Sequence, residues 1–413
     1  MYDLAVIGAW AEFAIRWLHV ITAIAWIGSS FYFIALDLGL HRDRNLATGA
    51  DGEEWQVHGG GFYHIQKYLV APANMPDGLV WFKWESYATW LSGFALLAVV
   101  YYLGAEFYLI DPAVMDLSVP GAIAISVASL AFGWLAYNTL CKIFVEANQT
   151  LLMVALFGVL VGMSYFYANV FSGRAALLHL GAFTATIMSA NVFMIIIPNQ
   201  KIVVADLIAG RKPDPQFGKI AKQRSTHNNY LTLPVIFLML SNHYPLAFAS
   251  QWNWVIAALV FLMGVTIRHF FNSQHARRGT PWWAWAATAI IFVLIMWLST
   301  APMFQADQRH EAHGPALRFA QAQGFDAARD SVLGRCSMCH AAEPGWEGLH
   351  WAPKGVLLET DHQIASHARA IYLQAGISHA MPPANLSFIE PEERAQIVAW
   401  YRNAIGAGTP VVQ

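Results

Sequence analysis

Eight apolar runs constrain the fold of this chain more than any other feature of its sequence. They cover residues 10–38, 85–103, 119–137, 148–171, 176–198, 230–248, 252–271 and 281–303. Each has the length of about 20 residues that an α-helix needs to cross a bilayer. Only 12% of the 413 residues are charged, against about 25% in soluble domains. The pattern predicts a membrane-embedded helical bundle, and nothing in it indicates nucleic-acid binding.

The distribution of Lys and Arg predicts how this bundle is oriented. The loops after runs 1, 3, 5 and 7 contain fourteen of these residues, and the alternate loops contain only Arg174. Because Lys and Arg concentrate in cytoplasmic loops, we expect a multi-pass protein of the bacterial inner membrane. An even number of spans then places both termini on the periplasmic side.

Residues Cys336, Cys339 and His340 form a C-x-x-C-H motif, the attachment signature of haem c. The two thiols are expected to bind the haem covalently, and the histidine to ligate its iron. The alternative, a zinc site, needs a second pair of Cys or His ligands, and no such pair stands nearby at ligand spacing. Bacteria attach haem c on the outer side of the inner membrane, which agrees with the orientation that the loops predict.

The segment around this motif differs in composition from the bundle, and the order of its features resembles a small class I cytochrome c. The expected division is a bundle in residues 1–304 and an all-α cytochrome c domain in residues 305–413. Pro353, in the loop after the motif, is an expected residue of the haem site. Met381, in a Met-Pro-Pro context, is the expected second iron ligand, which favours a high reduction potential. His379 is the alternative ligand, and it would lower that potential.

Histidines in the apolar runs are candidate ligands of a second, non-covalent haem b. Polar groups inside membrane spans are costly, so each of them is a functional hypothesis. His19 stands on a face of the first run that differs from its apolar face, and we expect it to point into the bundle. His179 and His243, at the periplasmic ends of later runs, are its candidate partners. An interfacial or hydrogen-bonding role is the alternative for these two histidines.

Polar residues cluster at the expected cytoplasmic ends of the second to sixth runs. Amides, cations and tryptophans suit a flat, anionic heterocycle that forms many hydrogen bonds, and an ordinary interfacial belt is the alternative. The loop from His58 to His64, with three glycines, would either close over such a site or form a simple turn. We expect Glu85, His227 and Lys83 to act in catalysis. The expected substrate contacts are Trp84, Asn138, Gln149, Asn199, Gln200, Lys201, Arg224 and Asn228.

Three bundle motifs carry a family resemblance. The first run contains W-L-H-V-I-T-A-I-A-W-I-G, the first loop H-G-G-G-F-Y-H, and the second run is entered through W-F-K-W-E-S-Y. Followed by a C-terminal haem c motif, this order resembles the bacterial membrane-bound urate oxidase (urate hydroxylase) family of purine catabolism, over essentially the whole chain. The resemblance implies oxidation of urate to 5-hydroxyisourate without hydrogen peroxide. Electrons would pass to the fused haem c, and then to a cytochrome c or a terminal oxidase.

Two other functions stay open on the sequence alone. One is a membrane oxidoreductase for a quinol or another heterocycle, and the other is a transporter with a cytochrome c redox module. The side on which urate binds is also open. A cytoplasmic site would require electrons to cross a core about 30 Å thick, which favours haem b as a carrier, whereas a periplasmic site needs no carrier.

Overall fold

The computed structural model of the protein describes residues 4–43, 45–68, 76, 78–144, 149–300, 312, 314–347, 349 and 351–406. These residues are mostly helical and include one two-stranded sheet. The expected domain boundary between residues 304 and 305 lies outside the described residues. So do residue 148 of the fourth apolar run and residues 301–303 of the eighth.

The N-terminal part consists of long helices with short connecting elements. Helix α1 (Leu4–Gly39) is followed by strands β1 (Ala50–His58) and β2 (Gly61–Tyr68). Next come α2 (Trp84–Leu97), α3 (Ala105–Tyr108), α4 (Val119–Ile143), α5 (Gln149–Ala168), α6 (Gly173–Ala190) and α7 (Ile197–Ile208). The last are α8 (Pro215–Ser241), α9 (Pro245–Phe248), α10 (Asn253–His275) and α11 (Trp283–Thr300). Turns of π-helix at Ala98–Tyr102 and Asn191–Ile196 extend α2 and join α6 to α7.

Six helical stretches among the described residues are long and apolar enough to cross a membrane. They are Val6–Gly39, Val119–Ile143, Gln149–Ala168, Gly173–Ile208, Asn253–His275 and Trp283–Thr300. The other two expected runs fold differently. The second divides into α2 and its π-helical turn, while the sixth forms the end of α8, a helix whose first half is polar. A bundle of eight spanning helices therefore stays a prediction.

The first loop contains a β-hairpin, which departs from the expected all-α class. Strands β1 and β2 pair antiparallel, and His58 lies opposite Gly61. Gly59 and Gly60 have φ of +57° and +80°, as a two-residue hairpin turn requires. The hairpin is tied to α1, because Tyr32 Oη donates to Gln56 Oε1 at 2.7 Å. The triple glycine thus forms the hairpin turn and the start of β2, and the alternation of polar and apolar residues over 54–57 is the period-two signal of the strand.

Helix α6 lies near the centre of the bundle and packs against α4, α5 and α8. The close approach of α8 to α10 depends on one glycine. A Cβ at Gly264 would lie 2.4 Å from Cδ and 2.6 Å from Cγ of Pro234. The proline ring cannot rotate away, so only glycine fits at this crossing.

Substitution of Gly264 by alanine is expected to destabilise the protein by about 1–3 kcal/mol, the usual cost of overpacking a core. The thermal midpoint of the detergent-solubilised protein, followed by size-exclusion chromatography, measures the loss. Gly158→Ala on α5 is the matched control, because a Cβ there meets nothing within 4 Å. The control should match or exceed wild type, since Ala is the better helix former. An equal midpoint for the two variants would contradict the packing argument.

The C-terminal part is a smaller helical unit. It contains α12 (Leu317–Ala320), α13 (Phe325–Arg335), α14 (Asp361–Ser366), α15 (Ala368–Ile371) and α16 (Pro391–Gly406). Helix α13 packs against α16, and Trp400 Nε1 donates to the Phe319 carbonyl at 2.8 Å. Tyr372 stacks on Tyr401 with ring centroids 4.3 Å apart. This packing leaves the motif at the end of α13 beside the loop that leads to α14.

Candidate functional site

Arg224 on α8 is a buried cation with only neutral partners among the described residues. Its side chain is 3% exposed. Nη1 donates to Asn191 Oδ1 at 3.2 Å and Nη2 donates to Asn138 Oδ1 at 2.9 Å. The guanidinium carbon lies 4.9 Å from the centroid of the Tyr137 ring, and Nε is buried without a hydrogen-bond partner. Because a buried charge without a counter-charge is costly, this arrangement suits an anionic ligand.

Asn191 links Arg224 to a tyrosine–histidine pair. Its Nδ2 donates to Tyr137 Oη at 3.1 Å and to Asn228 Oδ1 at 2.9 Å. The Tyr137 hydroxyl lies 2.9 Å from His227 Nδ1. Asn191 opens the π-helical turn after α6, and such turns are frequent at functional sites. We call Asn138, Asn191, Arg224, His227 and Asn228, together with Tyr137, the Arg224 network.

Several expected site residues belong to this network, and others do not. The network brings together Asn138, Arg224, His227 and Asn228 from α4 and α8. Glu85 lies in the first turn of α2. The hydroxyl of the next residue, Ser86, lies 3.1 Å from the hydroxyl of Ser189 on α6. Ser189 stands two positions before Asn191, a member of the Arg224 network. Glu85 Oε2 is buried and has no hydrogen-bond partner among the described residues. Glu85 is therefore near the network by its place in the chain.

The other expected substrate contacts lie outside these hydrogen bonds. Lys83 precedes α2, and its ammonium lies 5.7 Å from the ring of Trp84, which is 66% exposed. Gln149 accepts a hydrogen bond from Gln223 at 2.7 Å at the start of α5. Exposed or half-buried positions on α7 hold Asn199, Gln200 and Lys201.

A second arginine, Arg268, is also buried. From the sequence it was only one of the loop cations that predict the orientation of the bundle. Arg268 on α10 is 5% exposed, and its Nη2 donates to Asn272 Oδ1 at 2.9 Å and to Asn229 Oδ1 at 3.2 Å. Its guanidinium carbon lies 4.1 Å from the centroid of the Phe31 ring. Helix α8 thus carries Asn228 toward Arg224 and Asn229 toward Arg268. The neighbouring amides Asn228 and Asn229 were the available sequence signal.

The C-x-x-C-H motif forms one compact turn after α13. The amides of Cys339 and His340 both donate to the Cys336 carbonyl, at 3.1 and 2.9 Å. His340 Nδ1 lies 2.9 Å from the Val356 carbonyl, which leaves Nε2 for a metal, as second-shell bonds of ligand histidines do. Burial raises the pKa of the Cys336 thiol to about 11, so the thiol is protonated at neutral pH. These residues fit a covalently attached haem.

The loop that holds the expected second ligand is fixed by backbone hydrogen bonds. The Met381 amide donates to the Gln374 carbonyl at 2.9 Å, and the Met381 carbonyl accepts from Arg394 Nη1 at 2.9 Å. Its side chain is 37% exposed, and the neighbouring His379 is exposed with φ of +54°. Pro353 begins a short turn that leads to Val356, the residue whose carbonyl faces His340.

If Cys336 and Cys339 attach a haem c as the sequence predicts, Met381→Ala is expected to lower its reduction potential without releasing it, because a thioether ligand raises the potential and the covalent bonds to the two cysteines do not involve Met381. A redox titration of the haem α band checks this shift. His379→Ala should leave the potential unchanged. An unchanged potential in Met381→Ala, with a shift in His379→Ala, would assign the ligand to His379 instead.

The three candidate haem b histidines differ in the ring nitrogens that they leave free. His19 Nδ1 lies 3.0 Å from the Thr89 carbonyl and 3.2 Å from Ser92 Oγ, so Nε2 has no bond to these groups. His179 uses both nitrogens, Nε2 with Ser126 Oγ and Nδ1 with the Ala175 carbonyl, each at 2.8 Å. His243 is exposed beyond the end of α8. His19 thus leaves Nε2 for a ligand role and His179 leaves neither nitrogen, and haem b stays a prediction from the sequence.

Comparisons with known proteins bear on the N-terminal part. The family model described as urate oxidase N-terminal matches residues 5–299, from α1 to the end of α11. Comparison with curated proteins and with solved structures found no match to the chain. The matched segment contains the Arg224 network and is well over half of the sequence, so the chain belongs to the urate oxidase N-terminal family.

Proposed function

We propose that this protein is a membrane-bound, cytochrome-linked urate oxidase that converts urate to 5-hydroxyisourate. The observation that carries the proposal is the Arg224 network, a buried guanidinium surrounded by amides in a chain of the urate oxidase N-terminal family. Urate is a planar monoanion at neutral pH. A cation for its charge and amides for its ring edges are the groups that its recognition requires.

The residues of the Arg224 network contact different parts of the urate anion. Arg224 balances the negative charge, and its Nε, for which the described residues provide no partner, supplies a further donor. Asn138 Nδ2 is a donor for a ring nitrogen or carbonyl, whereas Asn228, which donates to the Met188 carbonyl and accepts from Asn191, holds Asn191 in place. Tyr137 packs its ring against the guanidinium and keeps that face of the site apolar. These contacts orient the purine before any electron leaves it.

His227 is the proposed general base. This role requires the tautomer in which Nδ1–H donates to Tyr137 Oη and Nε2 is unprotonated. Glu85 is the second candidate, because its buried Oε2 has no hydrogen-bond partner in the described part of the chain and can accept a proton. A base must also lie within hydrogen-bond reach of the proton that it removes. The urate monoanion and one water give neutral 5-hydroxyisourate, one proton and two electrons. The base receives the proton as water adds to the oxidised ring carbon.

The proposed C-terminal domain is a class I cytochrome c, in which Cys336, Cys339, His340 and Met381 hold the haem. When bound, haem c supplies a one-electron acceptor. Oxidation of one urate therefore requires two one-electron transfers to it, and no hydrogen peroxide forms. The next acceptor is a cytochrome c or a terminal oxidase. In the proposed orientation this domain and both termini lie on the periplasmic side of the inner membrane.

Anaerobic addition of urate to membranes that contain the full-length protein tests this proposal. We expect prompt reduction of the haem c α band, with two haem equivalents reduced per urate. Xanthine, which lacks the 8-oxo group, is the control purine and should leave the band oxidised. Reduction by a quinol but not by urate would overturn the urate assignment. Uptake of labelled urate into vesicles without haem reduction would favour a transporter instead.

A further inference from the structure

The β-hairpin of the first loop has an apolar face that points away from α1. Trp55 and Val57 share one face of β1, because side chains two positions apart lie on the same side of a strand. Phe62 pairs with Val57 across the hairpin and so belongs to the same face. Within the described part of the chain, Val57 is 68% and Phe62 77% exposed. We call Trp55, Val57 and Phe62 the tip face; a contiguous apolar surface of this kind marks an interaction site.

The opposite face of the hairpin packs along the end of α1. Gln56 Oε1 accepts from Tyr32 Oη at 2.7 Å, and a Cβ at Gly39 would lie 3.1 Å from Glu54 Oε2. Since Tyr32 lies about 10 Å before Gly39 along the helix, β1 runs back along α1 from its C-terminal end. The hairpin turn therefore points toward the middle of Val6–Gly39, a stretch that is long and apolar enough to cross a membrane.

Ion pairs hold the other end of the hairpin, which we call its base. Lys222 Nζ on α8 lies 2.7 Å from Asp37 Oδ2 near the end of α1, and Lys67 of β2 pairs with the same carboxylate. Arg42 pairs with Asp51 at 3.1 Å where β1 begins. Because exposed ions require water and apolar side chains do not, this arrangement suits a base in water and a tip in lipid.

Exposed aromatic side chains lie at the same level of α1 as the tip. Tyr32 is followed by Phe33, whose ring centroid lies 4.7 Å from that of Phe82, and Trp84 opens α2 with its side chain exposed. Trp and Tyr are enriched where a membrane meets water. A cavity of about 550 Å³ between α1 and the hairpin adds hydroxyl, amide and imidazole groups at this level. Its lining consists of Tyr32, Gln56, Val57, His58 and Tyr63.

We propose that the tip face inserts into the head-group region of the lipid bilayer, so that the hairpin is a membrane-contacting element of the protein. The two-stranded sheet leaves backbone N–H and C=O groups at the outer edge of each strand. Such groups need partners that the hydrocarbon core does not offer, and for this reason the tip stays at the interface. The contact also fixes the end of α1, where Asp37 binds Lys222, two residues before Arg224.

Spin labels on the full-length protein in phosphatidylcholine nanodiscs test this proposal. A nitroxide is attached at Val57→Cys or at Phe62→Cys, and its collisions with lipid-soluble oxygen and a water-soluble nickel chelate are measured. Arg42→Cys, at the exposed base of the hairpin, is the matched control, and the protein without an introduced cysteine gives the background. We expect an oxygen-to-nickel collision ratio several-fold higher at both tip positions than at Arg42→Cys.

A second variant tests whether insertion depends on the apolar character of the tip. Phe62→Asp should lower the collision ratio of the label at Val57→Cys toward that of the base, because a carboxylate favours water over lipid. Phe62→Leu keeps an apolar side chain and should retain most of the ratio. Phe62 is largely exposed, so neither substitution removes a packed core residue.

Two results would overturn the proposal. A ratio at Val57→Cys and Phe62→Cys equal to that of Arg42→Cys would place the tip face in water. Labels that are shielded from both reagents, with dipolar broadening between labelled chains, would show that a second copy of the protein covers the tip face instead. Both measurements are made without urate, so either result leaves the proposed oxidation of urate untouched.

Discussion

Arg224→Gln is expected to lower kcat/KM for urate-dependent haem reduction by about 30-fold to several thousand-fold, since loss of one partner of a buried charged pair costs about 2–5 kcal/mol and each 1.4 kcal/mol is tenfold. Glutamine keeps part of the length and polarity of the side chain but removes the charge that the urate anion requires. The two amide oxygens that now accept from Arg224, on Asn138 and Asn191, lose their charged donor as well. The initial rate of α-band reduction against urate concentration measures this effect.

The controls separate lost binding from lost folding. Arg211→Gln removes an arginine of the same bundle that pairs with Asp206 at 2.6 Å on the surface, and its rate should equal that of wild type. Arg224→Lys keeps the charge but not the forked geometry of the guanidinium, so we expect an intermediate loss. Dithionite should reduce the same amount of haem in every variant. An unchanged kcat/KM in Arg224→Gln would exclude Arg224 from the urate site.

The part of the fold that the sequence predicts best is the part set by hydropathy. The first, third, fourth and seventh runs overlap α1, α4, α5 and α10 closely, because an isolated apolar stretch in a bilayer satisfies its backbone only as a helix. The first loop was less predictable. Its glycines indicated either a turn or a mobile cover, and the strands on either side depend on pairing with each other rather than on a local preference.

Helix ends were predicted less well where polar residues enter the bundle. The sixth run begins at residue 230, but α8 starts at Pro215 with Asp214 as its N-cap. Residues between them form helix because Arg224, His227 and Asn228 find partners on neighbouring helices. The hydropathy of a segment does not predict such partners, because they are brought close only by tertiary packing.

The same distinction holds for the candidate site: residue type is visible in the sequence, whereas contacts between helices are not. Polar residue types at helix ends made Arg224, His227, Asn138 and Asn228 candidates, and the structure places these four in one hydrogen-bonded network. Residue type alone could not separate them from Asn199 and Lys201, which lie on α7 outside the network. Contacts across helices decide the difference, and they also connect Arg268 to Asn229.

Removal of both motif thiols, Cys336→Ala with Cys339→Ala, is expected to abolish covalent haem and urate oxidation together. The motif turn, closed by hydrogen bonds from the Cys339 and His340 amides to the Cys336 carbonyl, attaches a porphyrin covalently only through its thiols, and the imidazole alone gives a reversible bond. Haem staining of the denatured protein on a gel measures attachment, and the urate assay measures turnover. Without its one-electron acceptor the bundle should still bind urate, because the Arg224 network lies in the N-terminal part.

Cys141→Ala is the matched control for this variant. Cys141 is a buried thiol on α4, distant in sequence from the motif, and its variant should keep full haem staining. Staining in the double variant, or its loss in Cys141→Ala, would contradict attachment at Cys336 and Cys339. Urate-dependent oxygen consumption by the double variant would show that the bundle does not depend on the C-terminal domain for electron transfer. Loss of staining and turnover with urate binding retained would establish that the bundle is the oxidising site and the C-terminal domain its acceptor.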